Sequence, residues 1–412
     1  MAAPAFKTGS LVQLRTIAVK ILAQVLNSEL SIDDAMLAEL NRTSGATKPE
    51  FDRSWIYEMC SGVLRYKGRL DFIIDTYSLK KKPTGPLRRY LYTAVYQILA
   101  QETVPALVVS ETVQAVREKE GEAPAKFVNA CLRKVADAKE QWKNWSVTAA
   151  TAEDELIAWC SLPKWIYKKL VKQYGLEFTL AYSKASLERP VTWFKNLENG
   201  ESQILPHGYQ GNEARGFVQD ISNQNLVKKV HENLLSFGQS KNSKSLPKVL
   251  DLCSAPGGKA LALAGLQYSV VATDRDEQRL LKVVENKTRL KFQDSALMVK
   301  PFIEVWGSAQ KWDVIWLDVP CMSIGIMRRH PEIKWNRLEK DLPLLVLKQE
   351  ELVEWSRAHL EPEGILVYST CSLFKEENPE KIQGFELCAS FKAFPQEEPF
   401  GDGIVAHLFK LA

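Results

Sequence analysis

The chain has 412 residues, of which 45% are hydrophobic and 25% charged, with 54 Lys and Arg against 50 Asp and Glu. This length exceeds one ordinary core and the composition is too apolar for a disordered chain, so we expect two or three domains. No apolar run reaches the roughly 18–20 residues of a membrane helix, and the start lacks the features of a signal peptide. We therefore expect a cytoplasmic protein that makes no use of a membrane.

Seven cysteines are spread along the chain, and none of them forms a CxxC pair. An odd number without such pairs argues against a disulfide framework and against a zinc ribbon. The five histidines lie at no spacing that would join a cysteine in a zinc site. The sequence therefore predicts a reducing compartment and no metal.

The net charge of +4 conceals an uneven distribution. Residues 1–145 hold 21 basic and 16 acidic side chains, whereas residues 146–412 hold 33 and 34. A polyanion-binding surface in the first third explains this excess, and a solvated helical surface explains it as well. Tyrosines lie among the basic residues and belong either to that surface or to the core. The basic residues taken as candidates for the surface are Arg65, Arg69, Arg88 and Arg89.

Apolar residues recur at helical spacing through residues 10–138, including the segments Arg89–Ala100 and Val108–Val116. Turn signals such as Pro83-Thr-Gly-Pro separate these segments. We predict an all-α domain over residues 1–145. Residues 146–245 are less regular, and we predict a small α+β connecting region there, with a helix near Leu162–Tyr174.

From residue 246 onward, short β-branched runs alternate with helical stretches. This alternation predicts a mostly parallel, doubly wound α/β sheet over residues 246–412. Ligands of such sheets bind at the carboxyl ends of the strands, so the residues after each strand are the candidates for a site. The predicted strands are Val249–Leu252, Ser269–Thr273, Val314–Leu317 and Ile365–Tyr368, and the clearest helices are Glu277–Leu290 and Leu342–Leu360.

The first of these strands leads into the segment Asp251-Leu-Cys-Ser-Ala-Pro-Gly-Gly-Lys259. Its two glycines permit a sharp turn and close approach to a ligand, and the next helix presents unpaired N–H groups. The second strand ends at Asp274, whose carboxylate suits both hydroxyls of a ribose. A glycine-rich turn and an acid without a pyrophosphate signature favour S-adenosylmethionine over a dinucleotide. An ordinary turn between strand and helix is the alternative.

Two later strands run into cysteines, in Asp318-Val-Pro-Cys321 and in Ser369-Thr-Cys371-Ser. One cysteine at a strand end is usually structural, but two cysteines and a carboxylate at one sheet edge indicate chemistry. C5 of cytosine is a poor nucleophile, and addition of a thiolate to C6 makes it an enamine-like carbon that attacks a methyl sulfonium. The reaction needs a thiolate, an acid at N3 and a base for the C5 proton. Asp318 serves at N3 only if it carries a proton, which burial would have to favour.

A basic segment, Arg328-Arg-His-Pro-Glu-Ile-Lys334, follows Cys321 closely. Arginine forks match the oxygens of phosphate in spacing and direction. The residues predicted to contact phosphate are Arg328, Arg329, His330 and Lys334.

The strings DLCSAPGGK, DVPC, RRHPEIKW and YSTCS resemble motifs of the RNA cytosine-C5 methyltransferases of the Sun/Fmu type. In the helical part, CSGVLRYKGRLDFIID, LYTAVYQIL and AKFVNACLRKV resemble the NusB-like RNA-binding domain of the bacterial 16S rRNA member. The resemblance extends through nearly the whole chain, to Gly401-Asp-Gly-Ile-Val-Ala. It implies a Rossmann-like methyltransferase domain that follows a NusB-like RNA-binding domain.

Carried onto this sequence, the resemblance makes Cys371 the nucleophile on C6 and Cys321 the cysteine that assists release of the methylated base. Asp318 would face both the methyl donor and the base, and Lys259 would orient or polarise groups in the site. DNA cytosine methyltransferases have their nucleophile in the Pro-Cys motif, but there Gln follows the cysteine, whereas Met322 follows it here. The residues implied to hold S-adenosylmethionine are Cys253, Ser254, Ala255, Pro256, Gly257, Gly258, Lys259, Asp274 and Asp318.

Some positions depart from the family's pattern. Val319 replaces an alanine, and Met322-Ser-Ile-Gly325 replaces the usual loop after the Pro-Cys motif. The family's aspartate near the adenine has no clear counterpart in Met298-Val-Lys-Pro-Phe302, although Asp294 precedes that segment and Glu304 follows it.

We expect a monomeric enzyme that methylates C5 of a cytosine in 16S rRNA, with the helical domain positioning the RNA. The same chemistry on tRNA is one alternative. A catalytically inactive RNA-binding or ribosome-assembly factor is another, but the presence of both cysteines, Asp318 and Lys259 argues against it.

Overall fold

The computed structural model describes residues 11–28, 30–42, 52–78, 82–206, 215–240 and 246–412. The chain divides into two compact units. Unit 1 comprises Met1–Glu188 and His330–Arg337, and unit 2 comprises Arg189–Arg329 and Leu338–Ala412. Among the helices of the described residues, none is long and apolar enough to cross a membrane.

Helices account for the regular structure of unit 1 in its described residues. They are α1 (Leu11–Ser28), α2 (Ile32–Arg42), α3 (Arg53–Tyr77), α4 (Gly85–Leu99), α5 (Pro105–Glu120), α6 (Glu122–Asp137), α7 (Lys139–Lys143), α8 (Glu153–Cys160), α9 (Lys164–Tyr174) and α10 (Leu176–Leu187).

The helices of the first third form where the apolar spacing predicts them. In α1 the stripe that includes Leu14, Ile21 and Val25 is buried against the core of the unit. Asp52 caps α3 by accepting from the N–H of Trp55 at 2.9 Å. The predicted all-α domain is therefore confirmed.

The predicted connecting region, 146–245, is divided at residue 188 between the two units. Its helical half packs on α3: Ser161 Oγ accepts from the N–H of Gly68 at 2.9 Å and donates to the carbonyl of Arg65 at 2.7 Å. The backbone approach is close enough that a Cβ at Gly68 would lie 2.7 Å from Cα of Ser161. These contacts explain why residues up to 188 belong with the first helices.

Unit 2 holds the strands, which alternate with helices along the chain. The elements in order are β1 (Thr192–Asn196), β2 (Ser202–Leu205), β3 (Gly216–Val218), α11 (Ile221–Ser240), β4 (Lys248–Asp251), α12 (Gly258–Gly265), β5 (Ser269–Ala272), α13 (Glu277–Arg289), β6 (Leu297–Val299), α14 (Phe302–Trp306), β7 (Trp312–Asp318), α15 (Ile333–Asn336), α16 (Asp341–His359), β8 (Leu360–Thr370), β9 (Phe385–Ala393) and β10 (Ile404–Leu411). Of these, α15 lies in His330–Arg337 and is therefore a further helix of unit 1, in addition to α1 to α10.

The main sheet has the strand order β6-β5-β4-β7-β8-β10-β9. Strands β6 to β8 are parallel, and β10 is antiparallel to both β8 and β9. A smaller antiparallel sheet has the order β2-β1-β3. The predicted mostly parallel α/β sheet is therefore confirmed.

Both faces of the main sheet are buried. In β7, Val314 and Trp316 lie in the core on one face, and Ile315 and Leu317 lie in the core on the other. Buried residues on both faces are typical of a parallel sheet covered by helices on its two sides. The register then aligns the strand ends, since Asp318 of β7 pairs with Ser369 of β8.

Candidate active site

The two cysteines after β7 and β8 lie together, with 3.4 Å between Sγ of Cys321 and Sγ of Cys371. Cys321 is buried and Cys371 is half-buried. A hydrogen bond from Cys321 lowers the pKa of the Cys371 thiol below its ordinary value. The same hydrogen bond, together with burial, raises the pKa of Cys321 well above its ordinary value. The two thiols therefore titrate as a pair, and the hydrogen bond between them favours the thiolate on Cys371.

The backbone around this pair is held by glycines. The N–H of Gly325 donates to the carbonyl of Cys371 at 2.8 Å, and the N–H of Gly403 donates to the carbonyl of Gly325 at 2.8 Å. A Cβ at Gly325 would lie 2.2 Å from the carbonyl oxygen of Gly403 and 2.8 Å from that of Cys371. Any other residue at position 325 would therefore move the backbone of the cysteine.

A charged pair lies beside the cysteines. Lys259 Nζ donates to Asp318 Oδ2 at 2.6 Å, and Ser369 Oγ donates to Asp318 Oδ1 at 2.9 Å. Burial disfavours the ammonium of Lys259, but Asp318 outweighs this effect and raises the Lys259 pKa above its ordinary value. Both oxygens of Asp318 thus accept hydrogen bonds. The role of Asp318 as a proton donor at N3 stays a prediction.

The glycine-rich segment after β4 forms a tight turn. Gly257 has a φ of +102°, in the region that favours glycine, and a Cβ there would lie 3.0 Å from a methyl of Val283. The carboxylate of Asp274, which follows β5, accepts from the N–H of Ala255 at 3.0 Å and from the N–H of Asp276 at 2.9 Å. The turn and Asp274 therefore form one cradle, as the sequence predicts for a ligand site.

Unpaired acceptors lie in this cradle. Asp251 is fully buried at the end of β4, and neither of its carboxylate oxygens makes a hydrogen bond within the described residues. The hydroxyl of Ser254 makes no hydrogen bond of ordinary geometry among the described residues, although it lies close enough to the carboxylate of Asp251 to lower its pKa. Burial raises the pKa of Asp251 to about 7, and that of the Cys253 thiol also rises because of burial. Buried acceptors without donors suit a ligand that brings hydroxyl or ammonium groups.

No acidic residue directly follows β6. β6 ends at Val299 and Lys300 follows it. Asp294 forms an ion pair with Lys287, and Glu304 is exposed on the short helix α14.

Three of the basic residues predicted to contact phosphate are buried in the structure and have internal partners. Arg328 is 3% exposed and donates to the carbonyls of Phe400 and Gly401. Lys334 is fully buried in unit 1 and donates to the carbonyl of Arg65 at 3.2 Å and to Ser186 Oγ at 3.1 Å. Arg65 is itself 3% exposed. N–H donors that suit the oxygens of phosphate also suit backbone carbonyls. Here Arg328 and Lys334 donate to backbone carbonyls.

Three further arginines have internal partners but keep some exposed surface. Arg329 forms ion pairs with two carboxylates, Arg88 does the same, and Arg69 donates to the carbonyl of Trp159 at 2.6 Å. Arg89 and His330 are half-buried. RNA contact by these five residues stays a prediction.

Sequence reasoning did not find Gln349 and Glu377. Glu377 Oε1 accepts from the N–H of Met322 at 2.9 Å, and Gln349 Nε2 donates to the carbonyl of Pro320 at 2.8 Å. They therefore hold the residues on both sides of Cys321. A charged side chain that becomes buried through partners distant in the sequence leaves no pattern that periodicity detects.

Two family models match the chain, the 16S rRNA methyltransferase RsmB/F model over residues 239–389 and the NusB family model over residues 12–137. The ribosomal RNA small subunit methyltransferase B of Citrobacter koseri is 30% identical over 410 residues, which cover 90% of each chain. The chain belongs to the RsmB/F family of 16S rRNA methyltransferases. The Escherichia coli O157:H7 member is 28% identical over 418 residues, covering 91% of this chain and 92% of that protein.

Solved structures share the fold. The crystal structure of PH0851 has a TM-score of 0.66 at 19% identity, covering 98% of this chain and 100% of that one. A methyltransferase homolog protein from Pyrococcus horikoshii has a TM-score of 0.51 at 19% identity, covering 63% of this chain and 98% of that one. Membership of the RsmB/F family confirms the resemblance seen in the motifs, and the matched range 239–389 contains both cysteines and the glycine-rich turn.

Proposed function

We propose that this protein methylates C5 of a cytosine in 16S rRNA, using S-adenosylmethionine and a covalent adduct between Cys371 and C6 of the base. The observation that carries the proposal is the pair of sulfurs 3.4 Å apart, of which Cys371 has the lowered pKa. A methyltransferase that acts on nitrogen or oxygen needs no such thiolate. The names of the relatives support ribosomal RNA as the substrate.

The residues after β4 and β5 fit the cofactor. Asp251, Ser254 and Asp274 offer buried acceptors to the hydroxyl and ammonium groups of S-adenosylmethionine, and the turn at Gly257 brings the backbone close. When bound there, S-adenosylmethionine supplies an electrophilic methyl group. We assign its binding to residues 253–259 together with Asp274 and Asp318.

The protein's own residues carry the remaining steps. The thiolate of Cys371 adds to C6, and the electron pair of the C5–C6 double bond moves toward N3 through the ring. The pair of Lys259 and Asp318 holds a proton beside the cysteines, and N3 needs such a proton during this addition. C5 thereby becomes electron-rich. Once C5 is methylated, Cys321 removes the proton from C5. The C6–S bond then breaks, and Cys371 is again a thiolate.

The hydrogen bond between the two sulfurs determines at which step Cys321 can lose its proton. As long as Cys371 is a thiolate, it retains the proton on Cys321. When Cys371 bonds to carbon, that hydrogen bond loses its charged acceptor, which removes the first of the causes that raise the pKa of Cys321. Loss of that cause makes it easier for Cys321 to give its proton to water before it accepts the proton of C5. The net release is one proton for each methyl group transferred.

Two substitutions test the assignment of roles. We expect Cys371→Ala to abolish methyl transfer and Cys321→Ala to accumulate protein that is covalently bound to RNA. Cys388→Ala, at an exposed cysteine, is the control. The assay is transfer of labelled methyl to 16S rRNA and to bulk tRNA, with bisulfite mapping of the product and denaturing gels for the adduct. Full turnover by Cys371→Ala would refute the covalent mechanism. Labelling of tRNA alone would refute the assignment of 16S rRNA as the substrate.

The alternative of an inactive RNA-binding factor has a simple test. Calorimetric titration with S-adenosylmethionine should give saturable binding by the wild type. Loss of that binding in Gly257→Val, where a side chain would strain the turn and meet Val283, is the expected control result. No binding by the wild type would favour the inactive factor. We further expect the protein to act as a monomer.

A further inference from the structure

Two buried side chains fix the loop of the second cysteine from both sides. Gln349 of α16 donates through Nε2 to the carbonyl of Pro320 at 2.8 Å. Glu377, in the segment after β8, accepts through Oε1 from the N–H of Met322 at 2.9 Å. The same Gln349 nitrogen donates to the same Glu377 oxygen at 3.1 Å. The peptide groups before and after Cys321 are thus tied to one hydrogen-bonded pair.

Tyr368 locks this pair in turn. Its hydroxyl lies 2.9 Å from the carbonyl of Glu377 and 3.1 Å from Oε1 of Gln349. Tyr368, Gln349 and Glu377 are all at most 3% exposed, so water does not compete for these bonds. We call Gln349, Tyr368 and Glu377 the loop clamp. Its members come from three elements, α16, β8 and the turn after β8.

The loop clamp acts on Cys321 more than on Cys371. Its hydrogen bonds reach Pro320 and Met322, whereas the carbonyl of Cys371 is held by Gly325. Glu377 also adds a negative charge near Cys321, which contributes less to the raised pKa of that thiol than Cys371 and burial do. The direct contacts of the clamp with the loop are its hydrogen bonds to Pro320 and Met322, which fix the position of Cys321.

We propose that Gln349 and Glu377 are positioning residues for the release step, in which Cys321 takes the C5 proton and Cys371 leaves C6. The inference rests on the proposed function. In that step the electron pair of the C5–H bond forms the C5–C6 double bond, and the electrons of the C6–S bond return to Cys371. The proton ends on Cys321. A base that is displaced by even about 1 Å loses on the order of 100-fold in rate.

Gln349→Leu removes the hydrogen bonds that Gln349 donates to Pro320 and Glu377. It fills the same buried position with an apolar side chain. We expect the covalent adduct with RNA to accumulate at least about 10-fold over wild type, whereas its rate of formation changes about 2-fold or less. Glu377→Ala should behave alike, and Glu377→Gln, which keeps an acceptor for Met322, should restore release. Lys348→Leu, on the exposed side of α16, is the matched control. Gln349→Leu decides the matter if Glu377→Ala does not fold.

A second measurement needs no RNA. Cys321 is buried, so iodoacetamide should modify it slowly compared with the exposed Cys388. Peptide mass spectrometry gives the ratio of the two rates, and in Gln349→Leu we expect this ratio to rise at least about 10-fold as the loop opens more often. An unchanged ratio together with no extra adduct would overturn the proposal. If Cys321→Ala itself forms no adduct, the proposed function fails, and the ratio of rates still decides whether the clamp holds the loop.

Discussion

Arg329 offers the sharpest test of whether the basic segment binds phosphate or holds the fold. Its guanidinium lies 2.8 Å from Asp220 Oδ2 and 3.2 Å from Asp402 Oδ2. The two carboxylates are 3% and 6% exposed, so Arg329→Met would leave both buried without their ion-pair partner, although Arg328 still acts on Asp402. Removing one partner of a buried pair costs about 3–5 kcal/mol. We expect the free energy of unfolding of unit 2 to fall by that amount.

The cost should depend on pH. Burial raises the pKa of Asp402 above its ordinary value even with Arg329 present, and the nearby Asp220 adds to this effect. Loss of the guanidinium raises it further. A carboxyl whose folded pKa exceeds its unfolded value of about 4 destabilises the fold at neutral pH. This penalty shrinks as the pH falls through the folded pKa, so the variant should differ most from wild type near pH 7 and least near pH 4.

Guanidinium denaturation followed by tryptophan fluorescence measures this difference, and hydrogen exchange of peptides that cover 401–411 localises it. Lys282→Met, at an exposed position of α13, is the control for loss of one positive charge. A cost below about 1 kcal/mol at pH 7 would contradict the buried-pair interpretation, since exposed ion pairs contribute in that range. Normal stability with weaker, less salt-dependent RNA binding would support phosphate contact by Arg329 instead.

Three further changes probe the site and unit 1. Gly325→Ala should lower methyl transfer at least about 10-fold by displacing the backbone of Cys371, with calorimetric cofactor binding retained. Lys259→Met removes the counter-charge of Asp318 and should lower methyl transfer by about 100-fold, measured with labelled cofactor. Burial lowers the pKa of Lys334 to about 7, so the folded wild type loses stability as the pH falls from about 10 to 7. Lys334→Met should lack this loss, so its free energy of unfolding relative to wild type should be higher at pH 7 than at pH 10.

The sheet and the position of the site could be predicted from the sequence because both depend on local pattern. Parallel strands end at one edge, so the residues after β4, β5, β7 and β8 had to meet once the alternation was recognised. The segments around Asp251, Asp274, Cys321 and Cys371 could therefore be placed without knowledge of any side-chain contact. The distance of 3.4 Å between Sγ of Cys321 and Sγ of Cys371 could not be predicted from the sequence. It depends on the backbone contact at Gly325 and on the loop clamp.

The basic segment shows why the rest could not be predicted. Lys334 finds its partners at Arg65 and Ser186, which are far away in the sequence. Residue type alone does not say whether a cation meets a phosphate, a carboxylate or a carbonyl, since all three accept the same donors. The division of the connecting region at residue 188 has the same origin, because it depends on the contact between Gly68 and Ser161.

These internal partners also change the meaning of the charge excess in the first third. Arg15 is fully buried, with Thr93, Gln97 and Glu111 around it, and Arg65 is almost as deeply buried. Such cations count toward the excess of positive charge, but because they are buried they offer no surface for direct contact with a phosphate. Exposed basic side chains remain on α6, at Lys126, Arg133 and Lys134. A surface on unit 1 that binds RNA is therefore better sought along α6 than at the arginines of α3.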